Sequence, residues 1–196
     1  MAEAVATSPP PAPKKRRWTV AEYLAEADEY PRYELYRGEL IEMPSPTVAH
    51  QDLVFTICSL LKEWVNPRGL GRVPLAPLDV IFDDENTAQP DVIYVSKENA
   101  GIVRDRIWGA PDLVVEILSP SSIRRDRYEK LGLYADFGVK EFWVVDIANR
   151  SLEILALRNG RYAVHSTAVI RGSASSLVLS GLEVDVERLF APAAEA

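Results

Sequence analysis

Two short, mostly apolar runs, Leu113–Leu118 and residues 141–147, enclose a stretch (124–137) with the spacing of an amphipathic helix. No other feature constrains the fold as tightly. Each run is too short for a buried helix, so each reads as a strand covered on both faces. Gly138 is placed to close the intervening helix. A strand, a helix and a strand in that order require a right-handed crossover and a parallel pair. The chain should therefore form an α/β (α+β) layered structure with helices packed on a central sheet.

The remaining segments fit around this unit. Residues 78–82 and 91–95 predict two further apolar strands. Val54, Ile57, Leu60, Leu61, Trp64 and Val65 form a helical stripe within 47–65, with Pro67 and Gly69 expected to end it. Thr19 and Glu22 match a capping box opening a short helix to about residue 29. A hairpin is expected over 33–43, turning at Arg37-Gly38. A second spans 152–157 and 162–169 around Asn159-Gly160. Residues 177–190 read as a strand followed by a helical turn. Organisation is thus a disordered tail over 1–17, one domain over 18–190 and a loose end over 191–196. The tail's basic run, Lys14 to Arg17, reads either as a nucleic-acid contact or as solvated charge.

With a net charge of −7, the chain does not suit a role as a nucleic-acid coating protein, whose affinity comes from many Lys and Arg contacts. An acidic balance is compatible with a carboxylate site that holds metal ions. The single cysteine, Cys58, can form neither an internal disulfide nor a thiolate cage, and reads as core filler in a reducing compartment. No apolar run approaches the roughly 20 residues of a membrane span. Residues 1–13 lack the apolar core of a secretory signal, so a cytoplasmic location is expected.

Two acids stand where burial should exclude them. Asp91 follows Pro90 at the mouth of an apolar strand, and Glu116 lies in the middle of Leu113-Val114-Val115-Glu116-Ile117-Leu118. Burying a carboxylate is costly unless a cation or hydrogen bonds compensate. A divalent ion does so directly, because hard cations take carboxylate oxygens together with water and phosphate. The alternative is an arginine pairing at a sheet end. Asp112 shares a strand face with Glu116, but four residues separate them by about 13 Å, too far to share one ion. Asp112 is therefore expected to be a loop or strand-start residue. His50 near a helix start and Glu34 in a hairpin are further candidates. Each has a plainer reading, as a structural histidine and as an exposed strand residue. His165, in the second hairpin, reads as a surface residue. Arg104, Arg106, Arg124, Arg125 and Arg127 bracket the Glu116 strand as phosphate contacts or as solvated charge.

Gln89-Pro90-Asp91-Val92, followed by Asp112 to Ser121, resembles the Uma-type restriction endonucleases of the PD-(D/E)xK nuclease superfamily. The resemblance extends to Tyr33-Glu34-Leu35, Gly38-Glu39-Leu40, His50, the helix with Asp126, Lys130 and Tyr134, and Glu141 to Asp146. It covers the chain from Trp18 to about Ile154. It implies a restriction-endonuclease-like mixed central sheet flanked by helices, with added N-terminal and C-terminal hairpins. It also implies a DNA-cutting homodimer that needs Mg²⁺ or Mn²⁺ and no organic cofactor. Asp91, Glu116 and the Ile117 carbonyl would hold the ion, with His50 as a further ligand, and Glu34 would be a further metal or water ligand. One position departs from the pattern: where the superfamily expects a lysine two residues after the glutamate, this chain has Leu118. Lys130 could replace it from the following helix if that helix turns its Lys130 stripe toward the strand. The departure keeps a second reading open, an inactive nucleic-acid-binding or interaction module on the same fold. A different metal hydrolase is less compatible, since two histidines are too few for most such sites.

Overall fold

The computed structural model describes residues 16–26, 33–118 and 129–191. Four α-helices occur among them: α1 (Val20–Glu26), α2 (Val48–Arg68), α3 (Lys130–Asp136) and α4 (Val186–Leu189). The strands are β1 (Tyr33–Tyr36), β2 (Glu39–Glu42), β3 (Gly71–Arg72), β4 (Val80–Asp83), β5 (Asn86–Ala88), β6 (Val92–Ser96) and β7 (Ile107–Trp108). They continue with β8 (Leu113–Leu118), β9 (Glu141–Asp146), β10 (Ser151–Arg158), β11 (Arg161–Val169), β12 (Ser173–Ser175) and β13 (Glu183–Asp185).

The central sheet has the order β11-β10-β9-β8-β6-β3. The β8–β9 pair is parallel and the other neighbours are antiparallel, so the sheet is mixed. The crossover expected from the sequence is therefore present, although residues 119–128 lie outside the described residues. The second hairpin extends the central sheet, because β10 pairs with β9. The first hairpin, β1–β2, is separate, and β5-β4-β7 forms a small sheet of its own.

Strand alternation sorts the core into two layers. Leu113, Val115 and Ile117 face α2 and pack with Leu53, Val54, Ile57 and Leu61. Val114 and Leu118 face the other way and pack with Leu133, Tyr134, Phe142 and Val144. Cys58 is buried in the α2 layer. The small sheet contributes Val80 and Ile107 against Ile93 and Val95 on the second face.

Local signals act as expected at several ends. Thr19 and Glu22 exchange capping-box bonds at 2.9 and 3.3 Å. Arg37 and Gly38 both take positive φ, the geometry of a two-residue turn that follows the strand twist. Asn159 and Gly160 do the same in the second hairpin. Pro67, in contrast, does not end α2, which runs through it to Arg68. In the last turn a proline removes only one helical bond, and the Arg68 guanidinium caps the Trp64 carbonyl at 3.0 Å. Gly69 stops the helix, in the left-handed region at φ 61°.

Candidate active site

Glu116 lies between Val115 and Ile117 in a strand buried along its whole length, and alternation turns it toward α3. On α3, Lys130 and Tyr134 are one turn apart and share a face. Both reach the same carboxylate. The Lys130 ammonium donates to each Glu116 oxygen at 2.8 Å. The Tyr134 hydroxyl donates to Glu116 Oε1 at 2.5 Å. Lys130 is only 3 % exposed. Its helix therefore packs as the displaced-lysine reading requires.

Glu34 approaches the same ammonium from β1, with its Oε1 at 3.3 Å from Lys130 Nζ. It is 1 % exposed, which rules out the reading as a surface strand residue. The hairpin is docked on β5 through side chains that accept its amides. Thr87 Oγ1 takes the Leu35 N–H and Asn86 Oδ1 takes the Arg37 N–H, both at 2.9 Å. The Gln89 amide donates to Glu34 Oε1 at 2.7 Å.

Asp91 sits on the link from the small sheet into β6. Val92 pairs with Val115, and the same antiparallel register sets Asp91 opposite Glu116. Its Oδ2 accepts the Ile117 amide at 2.7 Å, so Ile117 enters the cluster through its N–H. His50 Nε2 lies 3.3 Å from the same oxygen. The first turn of α2 delivers His50, and its own amide donates to the Thr47 cap. The Asp91 and His50 side chains, 15 % and 13 % exposed, form the more open side of the cluster.

Among the described residues, three carboxylates (Glu34, Asp91, Glu116) thus meet one ammonium and one imidazole. Each buried acid would lose several kcal/mol of hydration without such partners. The oxygen-rich donor set suits a hard divalent cation, with His50 as a softer contribution. Among the described residues no three His, Cys, Asp or Glu side chains stand close enough to enclose an ion by themselves. An ion here would complete its shell with water or a substrate phosphate, as Mg²⁺ commonly does.

Other candidates separate from this cluster. Asp112 stands at the opposite end of β8, accepting from Lys140 Nζ at 2.6 Å and from the Ser96 amide at 2.7 Å. Arg106 is not a free phosphate contact. It donates through Nε to Asp79 at 3.1 Å, because the half-buried guanidinium has a nearly buried acid beside it. Arg104 remains exposed, and His165 is half-buried in β11. Arg124, Arg125 and Arg127 lie outside the described residues, as does Asp126. Tyr134 is the member of the cluster to which sequence reasoning gave no role. Its spacing of four from Lys130 was the available signal.

No helix among the described residues is long and apolar enough to cross a membrane. No curated protein matches the chain in sequence. Among the solved structures that resemble it in fold is the crystal structure of a "putative nuclease belonging to DUF820" from Anabaena variabilis ATCC 29413. That protein aligns with a TM-score of 0.73 at 20% identity, covering 88% of this chain and 97% of its own. A family model described as "Putative restriction endonuclease" matches residues 20–187, which takes in every residue of the cluster. On that match over most of its length, the chain belongs to the Uma2 family.

Proposed function

We propose that the cluster is the centre of a metal-dependent endonuclease that hydrolyses DNA phosphodiester bonds. The observation that carries this reading is Glu116, an acid in the middle of a buried strand, clamped by Lys130 and set across from Asp91. Acids placed in this way, with a specific charge partner and a more open edge, concentrate at functional sites. The nuclease descriptions of the family and of the A. variabilis protein support the same reaction class.

In this reading Asp91 and Glu116 would hold Mg²⁺ or Mn²⁺, with the Ile117 carbonyl, water and a substrate phosphate completing the shell, and His50 would orient Asp91. The ion supplies Lewis acidity at the scissile phosphate and a lowered pKa for attacking water. Lys130 faces a nonbridging oxygen or orients the water. Glu34 and Glu116 hold its ammonium in place. Tyr134 fixes the Glu116 rotamer. Arg124, Arg125 and Arg127 contact flanking phosphates. Cutting both strands of a duplex calls for two such centres, hence a homodimer.

The test is conversion of supercoiled plasmid by the wild type and by Asp91→Ala with Mg²⁺, Mn²⁺ or EDTA. The expected outcome is metal-dependent nicking that EDTA abolishes. Loss of a ligand worth several kcal/mol should slow Asp91→Ala by about 10²–10³-fold. Cutting that persists in EDTA, or at the wild-type rate in Asp91→Ala, would overturn the assignment.

A further inference from the structure

Asp79 stands just before β4, outside the cluster, and side chains from three separate segments converge on it. Its Oδ1 accepts the Tyr23 hydroxyl from α1 at 3.0 Å and the Gln89 side-chain amide at 2.9 Å. Its Oδ2 accepts Arg106 Nε at 3.1 Å. The carboxylate is 10 % exposed. Both flanking groups are held in their donor forms. Burial, and then the Asp79 charge, raises the Tyr23 phenol above its ordinary value. Burial works against the Arg106 cation, but bonding to Asp79 outweighs it and raises that group too.

The consequence runs through Gln89. Its side chain is tied to Asp79, and its backbone N–H donates to Glu34 Oε1 at 2.7 Å. Pro90 follows, which confines residue 89 to extended backbone. The clamped side chain and the extended backbone together hold the amide toward the buried Glu34 carboxylate. Glu34 in turn presents the same oxygen to Lys130 at 3.3 Å. A four-member path therefore leads from the small sheet to the ammonium: Asp79, Gln89, Glu34, Lys130.

We infer that Asp79 is a positioning residue for the cluster, acting through Gln89 to fix Glu34 against Lys130. The inference rests on the nuclease reading only for its activity readout. Outer partners that orient a site's inner groups commonly change activity by about 10–100-fold. A residue that merely stabilised the fold would lower the melting temperature without this coupling.

The test is a double-mutant cycle of Asp79→Ala and Glu34→Gln on the DNA-cutting rate, alongside the amide proton shift of Gln89. Each single variant should lower kcat about 10–100-fold with KM little changed. The double should be no slower than the worse single within about two-fold, because both cut one path. The Gln89 amide, bonded to a carboxylate, should resonate downfield and move upfield in both single variants. Tyr162→Phe removes a 2.6 Å bond to the Val139 carbonyl outside this path, and should keep kcat within about two-fold at whatever loss of stability it causes. Multiplicative losses in the double, or a Gln89 amide unmoved by Asp79→Ala, would overturn the inference. If the wild type cuts no DNA under any metal condition, the nuclease reading falls. The Gln89 resonance then decides the positioning role alone, an upfield move supporting it and an unmoved amide overturning it.

Discussion

Three acids in or beside the central sheet are nearly inaccessible, and they differ in what surrounds them. Glu141 accepts from the Trp143 indole, the Ser176 hydroxyl and the amides of Leu177 and Val178, so it staples the C-terminal segment to β9. Asp112 is held by Lys140 and the Ser96 amide. Glu116 alone has a buried lysine, a buried phenol and further carboxylates around it. The sequence made Glu116 and Asp91 legible, because an acid in an apolar strand is visible in one dimension. It did not reveal the burial of Glu34 or the contact of Tyr134, which depend on how a distant hairpin and helix dock. Lys130→Met should leave two buried acids facing each other and cost about 3–5 kcal/mol in chemical denaturation. Tyr134→Phe removes one donor to a charged acceptor and should cost about 1.5–3 kcal/mol while leaving the far-ultraviolet spectrum unchanged. Asp112 supplies a pH signature. Burial raises its pKa, but the Lys140 and Ser96 bonds outweigh it, and the net value is lowered. A depressed folded value contributes stability that is present above the ordinary carboxylate range, near 3.9, and is lost as pH falls through the folded value. The denaturation gap between wild type and Asp112→Asn should therefore be widest at neutral pH and close below about pH 4.

Elements with a full period were readable and fragments were not. The α2 stripe, both glycine-turn hairpins and the β8–β9 crossover all follow from spacing and turn chemistry. The strands β3, β5, β7 and β12 are two or three residues long, too short to show any alternation, and their partners alone define them. Gly71 illustrates this. A Cβ there would lie 2.1 Å from the Val95 carbonyl, and its φ is 150°. Gly71→Ala should break the β3–β6 edge at a cost of about 2–4 kcal/mol, read as a lowered denaturation midpoint with an unchanged slope. At the start of α2, Thr47→Ala removes the cap that accepts the His50 amide. It should cost about 1 kcal/mol and loosen His50 against Asp91, visible as a change in the His50 imidazole resonances.

At the scale of the molecule, the cluster lies where the N-terminal units meet the α3 layer on one face of the central sheet. The β5–β6 link passes through that junction and carries both Gln89 and Asp91. A parallel pair joined by a helix followed from the apolar runs, and the mixed sheet around it from the family resemblance. The docking of the N-terminal hairpin did not, because it rests on β5 side chains accepting single amides and on Leu35 packing against Val20, Tyr23 and Ile81, residues distant in sequence. The most direct test of a divalent-cation centre is titration of the full chain with Mn²⁺, followed by electron paramagnetic resonance, in the wild type, Asp91→Asn and Glu116→Gln. The expected result is saturable binding in the wild type, weakened about 10-fold or more in each variant. Equal binding in all three proteins, or none in the wild type, would contradict a metal centre built on these two carboxylates.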